Sequence, residues 1–290
     1  MIPLTCTWTV CYKFCEVERH IVTDEDIDVL LADLLDLYGY DFTEYSRASL
    51  KRRINRLFVL DRFPSIAEFR YRLISDQDYL RRMVEEITVN VTEMFRDPIF
   101  YRTIREQVLP VLATHPFIRI WHAGCSTGEE VFSMAILLQE ANLLQKSLLY
   151  ATDINPRVVE KLRKGIFPLR QMKQYSENYM ASGGKKDFSD YYTAKYDHAK
   201  FDENLSRKMI SSTHNLVSDR SFNEFQLIMC RNVMIYFDKD LQDKTLTLFD
   251  DSLEKLGFLA LGSKENLKFS VIGKKYLQLE NKEKIWRKVI

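Results

Sequence analysis

Apolar residues recur along the chain with two different periods. From residue 21 to about 87 they fall three and four apart, the spacing of a helix face. "TDEDIDVLLADLLDLYG" opens on Thr23 or Asp24 as N-cap, carries acids in its first turn and stops at Gly39. "YSRASLKRRINRLFVL" follows and places Leu50, Ile54, Leu57 and Val59 on one face. "SIAEFRYRLI" and "DQDYLRRMVEEITVN" continue the pattern. No strand alternation interrupts it, so this part reads as a small all-α domain.

From about Phe117 the rhythm changes. "FIRIW", "LLYATDI", "KMISSTHN", "FQLIMCRN" and "GFLALGS" are short apolar runs. Between several of them stand helical stretches: "EEVFSMAILLQEANLL", "NPRVVEKLRKG" and "KDLQDKTLTLFDDSLEKL". Strand and helix in alternation predict an α/β domain, a parallel sheet with helices on both faces. "KYLQLE" and "KIWRKVI" lie close together around "NKE" and predict a closing hairpin. Between about Met172 and residue 208 the pattern fails. Tyrosines, "SGG" and scattered charges there suggest an insert of a few antiparallel strands.

Composition narrows the class. The chain has 290 residues, 46% of them apolar, and a net charge of +1 from 42 basic and 41 acidic residues. No whole-molecule field points to nucleic acid. No apolar run approaches the roughly 18 residues of a membrane span. Residues 1–20 lack a positive n-region and a cleavage site, and they fit no later pattern. They are expected to be an extension of a cytoplasmic protein. The five cysteines are odd in number and sparse, without zinc spacing, so neither a disulfide framework nor a metal site is expected.

Charge is lopsided locally. From Tyr45 to Arg82 ten residues are basic and four acidic, a balance of +6. Arg47, Lys51, Arg52, Arg53 and Arg56 concentrate on one helix, with Arg52 and Arg56 one turn apart. A docking surface for an acidic partner is the expectation; an ordinary solvated face is the alternative.

The candidate chemistry lies in "HAGCSTGEE", His122 to Glu130, where a strand gives way to a helix. A phosphate loop would place Lys and Ser/Thr after the second glycine, and a dinucleotide turn would read G-x-G-x-x-G. Here Gly124 and Gly128 stand four apart, followed by Glu129 and Glu130, which would repel a phosphate. The ligand should instead be cationic. Asp153, 29 residues beyond Gly124, ends the next strand where such sheets hold ribose hydroxyls. It also stands where it would cap the following helix, although Asn155 is the better cap. S-adenosylmethionine, with a sulfonium, an ammonium and no phosphate, suits both features.

With these motifs the chain, from residue 21 to 290, resembles the CheR-type chemotaxis-receptor glutamate O-methyltransferases. "NVTEMFRD" (Asn90 to Asp97) is similar to the family's N-x-T-x-F-F-R, with Met94 for the first Phe. "WHAGCSTGEEVFSMA" and "ATDIN" match its cofactor turn and ribose-binding strand end, "HNL" its N-L pair, and "CRNVMIYFD" is close to a signature. Val131 replaces a usual Pro, and "GSKENLKF" carries Lys264 where Ser is usual.

The resemblance implies a Rossmann-like S-adenosylmethionine methyltransferase sheet in residues 88–290, with an antiparallel insert, preceded by a basic receptor-docking domain in residues 21–87. It implies that Asn90, Thr92 and Arg96 line the cofactor and the substrate entrance. Glu129 or Glu130, the second in preference, would face the methionyl part beside Gly124, and Asp153 would hold the ribose. Asn215 and Leu216 would flank the adenine, with Arg231 and Asn232 on the other side and Tyr236 near the transferring methyl. The activity implied is methyl esterification of chemoreceptor glutamates, leaving S-adenosylhomocysteine, in sensory adaptation. Arg96 and Tyr236 are the expected catalytic pair; Tyr236 reads alternatively as a core aromatic, and Arg231 with Asn232 as a helix-capping ion pair. A catalytically silent cofactor-binding sensor or scaffold is the rival function, against which intact Arg96 and Tyr236 argue. A methyltransferase for RNA or a small molecule is another rival; base methylation is disfavoured because "RNVMIYFD" stands where an N/D-P-P-Y motif would lie.

Overall fold

A computed structural model of the chain describes residues 22–88, 91–279 and 283–290; the expected extension at 1–20 and Asn90 lie outside the described residues. Four helices come first: α1 (Asp24–Tyr38), α2 (Arg47–Leu60), α3 (Ile66–Ser75) and α4 (Gln77–Thr88). Thr23 and Asp26 close a capping box at the start of α1, and Gly39 ends it at φ 73°. The helices pack around Ile27, Leu30, Leu34, Ile54, Phe69 and Met83. On α2 the inward face is Leu50, Ile54, Leu57 and Phe58, whereas Val59 is 64% exposed. At 3.6 residues per turn, position 58 completes the i, i+4, i+7, i+8 stripe and 59 rotates off it, which corrects the expected face.

A helical connection follows, α5 (Pro98–Thr103), a π-helical turn (Ile104–Val108) and α6 (Leu109–Leu112). It leads into β1 (Ile118–Ala123), α7 (Glu129–Glu140), β2 (Ser147–Asp153) and α8 (Pro156–Lys164). Next come β3 (Ile166–Pro168), α9 (Met172–Ala181), β4 (Tyr192–Lys195), β5 (His198–Phe201) and α10 (Glu203–Ser206). The chain finishes with β6 (Met209–Thr213), β7 (Phe225–Cys230), α11 (Lys239–Ser252), β8 (Leu253–Leu261), β9 (Tyr276–Gln278) and β10 (Ile285–Lys288).

The main sheet has the order β6-β2-β1-β7-β8-β10-β9. The first five strands are mutually parallel, and β10 is antiparallel to both its neighbours. β7 is buried along its whole length, as a strand covered on both faces must be. Order reverses between β1 and β7, and the crevice outside the strand ends at such a point is where open α/β sheets bind ligands. The second sheet, β3-β5-β4, is antiparallel as expected, but it starts at Ile166 rather than near 172, and residues 172–181 form a helix. The expected helix through Leu256 also ends early, at Ser252. Leu253 is buried and pairs with Phe225, so strand pairing takes over there.

The helical part lies against the sheet part. Tyr45 bridges Phe237, with ring centroids 5.0 Å apart, and Ser46 N–H donates to the Tyr236 carbonyl at 2.7 Å. Asp238 N–H donates to the Glu44 carbonyl at 3.0 Å, Glu44 pairs with Lys244, and Arg157 pairs with Asp78 at 2.6 Å.

Candidate active site

A cleft of about 900 Å³, counting the solvent at its mouth, opens where the strands β1, β2, β6 and β7 end and the helical part covers them. Its walls begin at the turn after β1. Gly124 and Cys125 N–H groups donate to the Thr152 carbonyl at 2.8 and 2.9 Å, which folds the turn onto β2. Gly124 has φ 75°, and a Cβ there would lie 2.4 Å from Val233 Cγ2. Gly128 has φ 100°, and a Cβ there would lie 2.7 Å from Leu162 Cγ. Both glycines therefore meet two demands, left-handed backbone and the close passage of a neighbouring element.

The two glutamates diverge. Glu130 lines the cleft, with Oε1 2.9 Å from His122 Nδ1 and Oε2 3.7 Å from Arg231 Nη1. Burial opposes its ionisation, but His122, Arg231 and Arg96 outweigh burial and hold its carboxyl below the ordinary value. Glu129 does not line the cleft. It is buried beneath the turn, where Thr127 Oγ1 donates to it at 2.6 Å and Tyr175 O–H at 3.4 Å. Burial pushes its carboxyl up from 4.5 to about 7.

Asp153 lines the cleft at the end of β2 and accepts N–H bonds from Ser126 at 2.9 Å and Asn155 at 3.0 Å. Burial raises its pKa despite these bonds. Asn155 caps α8 by accepting from Arg157 N–H at 2.9 Å, which leaves Asp153 facing the cleft. Asn215 and Leu216 line the wall after β6, where the Asn215 amide oxygen accepts from Val217 N–H at 3.0 Å and shapes the turn.

Arg231 and Asn232 line the wall after β7. Arg231 pairs with Asp97 at 2.6 Å and stacks its guanidinium 3.9 Å from the centroid of the Phe100 ring. It is thus tied to the segment before α5; the cap of α11 is Asp238, which accepts from Leu241 N–H at 2.9 Å. Thr92 and Arg96 line the same cleft, as does half-exposed Tyr236. Arg96 Nη1 donates to the Val91 carbonyl at 3.3 Å. Two non-glycine lining residues, Ser126 and Asn232, have positive φ, as do Phe95 and Asp97 on either side of Arg96, the kind of strain that clusters at ligand sites. Of the residues expected at the site, Glu129 alone among the described ones stands outside the lining.

Sequence reasoning missed three contributors. Tyr45 and Thr88 bring the helical part into the wall. Glu265 is the third: its buried carboxylate accepts from the N–H groups of Gly262 (2.6 Å), Asn232 (3.0 Å), Val233 (3.0 Å) and Met234 (2.8 Å). It is a lone acid just past the end of β8, the same signal that singled out Asp153. Lys264 beside it points to solvent. Met94 and Val131, the other departures, are fully buried apolar residues of the core. Cys125 and Cys230 are buried free thiols whose pKa burial raises well above the ordinary value, so they stay protonated.

The lining suits a cationic nucleoside: the carboxylates of Glu93, Glu130 and Asp153 beside Arg96 and Arg231, no lysine among the described lining residues, and apolar Ile154, Leu216 and Val233. Fold and cleft together define an α/β domain for such a ligand, with a helical domain closing over it. The chain belongs to the CheR methyltransferase family: residues 25–88 match the family's all-alpha domain and residues 90–284 its S-adenosylmethionine-binding domain. A Pseudomonas putida protein, putative methyltransferase Cher3, is 44% identical over 268 residues, covering 92% of this chain and 97% of that protein. Chemotaxis protein methyltransferase 2 of Pseudomonas aeruginosa is 31% identical, covering 84% of this chain and 87% of its own. A chemotaxis protein methyltransferase of Listeria innocua is 29% identical, covering 79% and 85%.

Proposed function

We propose that this protein is a protein-glutamate O-methyltransferase that esterifies glutamate side chains on the cytoplasmic helical region of a chemoreceptor, in sensory adaptation. The observation that carries the reading is one juxtaposition: Arg96 and Tyr236 share a cleft with Glu130 and Asp153, beneath the helical domain. The Pseudomonas aeruginosa and Listeria innocua relatives, named chemotaxis protein methyltransferases, support a protein of chemotaxis as the substrate.

When bound, S-adenosylmethionine supplies an electrophilic methyl group on a sulfonium. Asp153 would hold its ribose hydroxyls and Glu130, kept ionised by its neighbours, its ammonium. The acceptor is a glutamate with an ordinary pKa of about 4.3, ionised at neutral pH, so no general base is required. Arg96 grips that carboxylate in a planar fork. The Tyr236 hydroxyl donates to the same carboxylate. Alignment is the main task left to the protein, and it is worth roughly 7–11 kcal/mol in well-oriented reactions. S-adenosylhomocysteine is the second product. The place of action is the cytoplasm, at receptors held in the membrane; among the described residues no helix is long and apolar enough to span one.

Mass spectrometry of receptor-containing membranes incubated with enzyme and methyl-labelled cofactor tests this. Base-labile methyl esters should appear on receptor glutamates. Arg96→Ala should lose turnover far more than cofactor affinity, since the grip on the acceptor carboxylate acts in the chemical step. Label on any other residue type, or none, would overturn the substrate assignment.

A further inference from the structure

Of the basic residues on α2, one turns inward. Arg47 pairs with Asp24 and Asp28, Lys51 with Asp24, and Arg56 with Glu86, while Arg52 projects into solvent. Arg53 instead lays its guanidinium over the Tyr236 ring, 5.2 Å from the centroid. Its Nη1 donates to the Glu86 carbonyl at 3.0 Å, near the end of α4, and its Nε reaches Ser49 Oγ at 3.3 Å. Among the described residues it forms no ion pair of its own; the Glu86 carboxylate near it is paired with Arg56. The backbone beneath runs in the same sense: Ser46 N–H holds the Tyr236 carbonyl at 2.7 Å, and Tyr45 both lines the cleft and packs on Phe237.

We propose that Arg53 is a positioning residue for the methyl transfer, fixing the Tyr236 ring at the cleft so that the helix carrying the docking charges and the reaction centre move as one unit. A planar cation over an aromatic face is an oriented contact, and the bond to the Glu86 carbonyl prevents the guanidinium from swinging away to solvent. Tyr236 is half-exposed on a short helical turn after β7, packed at the edge of an apolar cluster, and the Arg53 guanidinium adds an oriented contact on its ring. The proposal rests on the reading of Tyr236 as a group that meets the acceptor carboxylate.

The test is a kinetic cycle joined to a direct probe of the ring. Arg53→Met should lower kcat about tenfold, the size expected of one partly desolvated cation–aromatic contact, and leave receptor KM and calorimetric cofactor affinity where they were. Arg53→Lys should recover part of the loss. In a Tyr236→Phe background the same Arg53→Met change should cost much less, because no hydroxyl remains to be positioned. A 3-fluorotyrosine at position 236 should show a shifted or broadened fluorine resonance in Arg53→Met and an unmoved one in Arg52→Met. Equal losses in the wild-type and Tyr236→Phe backgrounds, a loss confined to KM, or a fluorine resonance indifferent to Arg53 would each overturn the proposal. The fluorine measurement needs no methyl acceptor. An enzyme that forms no glutamate ester would therefore sink the substrate reading while the resonance still decides the fate of the Arg53 contact.

Discussion

Glu129 and Glu130 are identical side chains one residue apart, and they meet opposite environments. Successive helical residues point about 100° apart, so only one of the pair can face the cleft. The sequence shows the pair and favours the second residue by resemblance, but the choice is made by what surrounds each carboxylate. Glu130 meets His122 and Arg231, and buried Glu129 meets two hydroxyls. A pH dependence follows. Glu129 is raised from 4.5 to about 7 in the fold. Below pH 4.5 it is protonated whether folded or not and costs nothing. As pH rises towards 7 the unfolded chain ionises while the folded one does not, so stability falls, and above 7 the full cost remains. That cost is about 3 kcal/mol from the size of the shift. Glu129→Gln keeps an acceptor for Thr127 and does not titrate. Chemical denaturation at a series of pH values should show the variant gaining on the wild type between about pH 4.5 and 7.5. Parallel stability curves would show that Glu129 titrates normally.

At the level of elements, the strands and their order of appearance were readable because apolar runs alternate with amphipathic stretches. Boundaries were less so. The end of α11 depends on Leu253 pairing with Phe225 across the sheet, a partner distant in the chain that no local pattern announces. The loop from Arg231 to Tyr236 shows the same dependence. Its composition marked it as a signature, yet what shapes it is Glu265, far along the chain, which gathers three of its N–H groups and one from Gly262. Glu265→Gln replaces one acceptor oxygen with an amide that faces two N–H donors. Leaving buried donors unpaired costs about 1–3 kcal/mol each. The variant should melt several degrees lower, at roughly 2–4 °C per kcal/mol for a domain of this size, and bind cofactor more weakly as Asn232 and Val233 shift. Lys264→Ser, one residue away and exposed, should change neither. Calorimetry and melting curves on the two variants separate the loop from its neighbour. Equal behaviour would mean that the carboxylate is not what holds the cleft wall.

Across the whole molecule the basic stripe changes meaning. The ten basic residues between Tyr45 and Arg82 outnumber the acids of that stretch, but the helical part from residue 22 to 88 holds 14 acids against the same ten. Seven of the ten form ion pairs within it: Arg47, Lys51, Arg56, Arg70, Arg72, Arg81 and Arg82. A count along the chain cannot see this, because α1 supplies its acids across the bundle, Asp24 to α2 and Asp33 to Arg70. Under the proposed function, recruitment of an acidic receptor face would fall on α2 to exposed Arg52, which among the described residues forms no ion pair; Arg62, just beyond α2, is the other exposed one of the ten without one. Arg52→Glu should raise the apparent KM for receptor and leave the melting temperature unmoved, as an unpartnered surface substitution does. Arg56→Glu breaks its pair with Glu86 and sets two carboxylates together, so it should lower the melting temperature as well. Salt separates the two effects. Screening over a Debye length of about 8 Å at physiological ionic strength acts on charges that steer the encounter. Raising salt should weaken wild-type recruitment steeply and Arg52→Glu recruitment much less. If Arg52→Glu keeps the wild-type KM at low salt, the stripe is a self-paired surface and the receptor is held by another face.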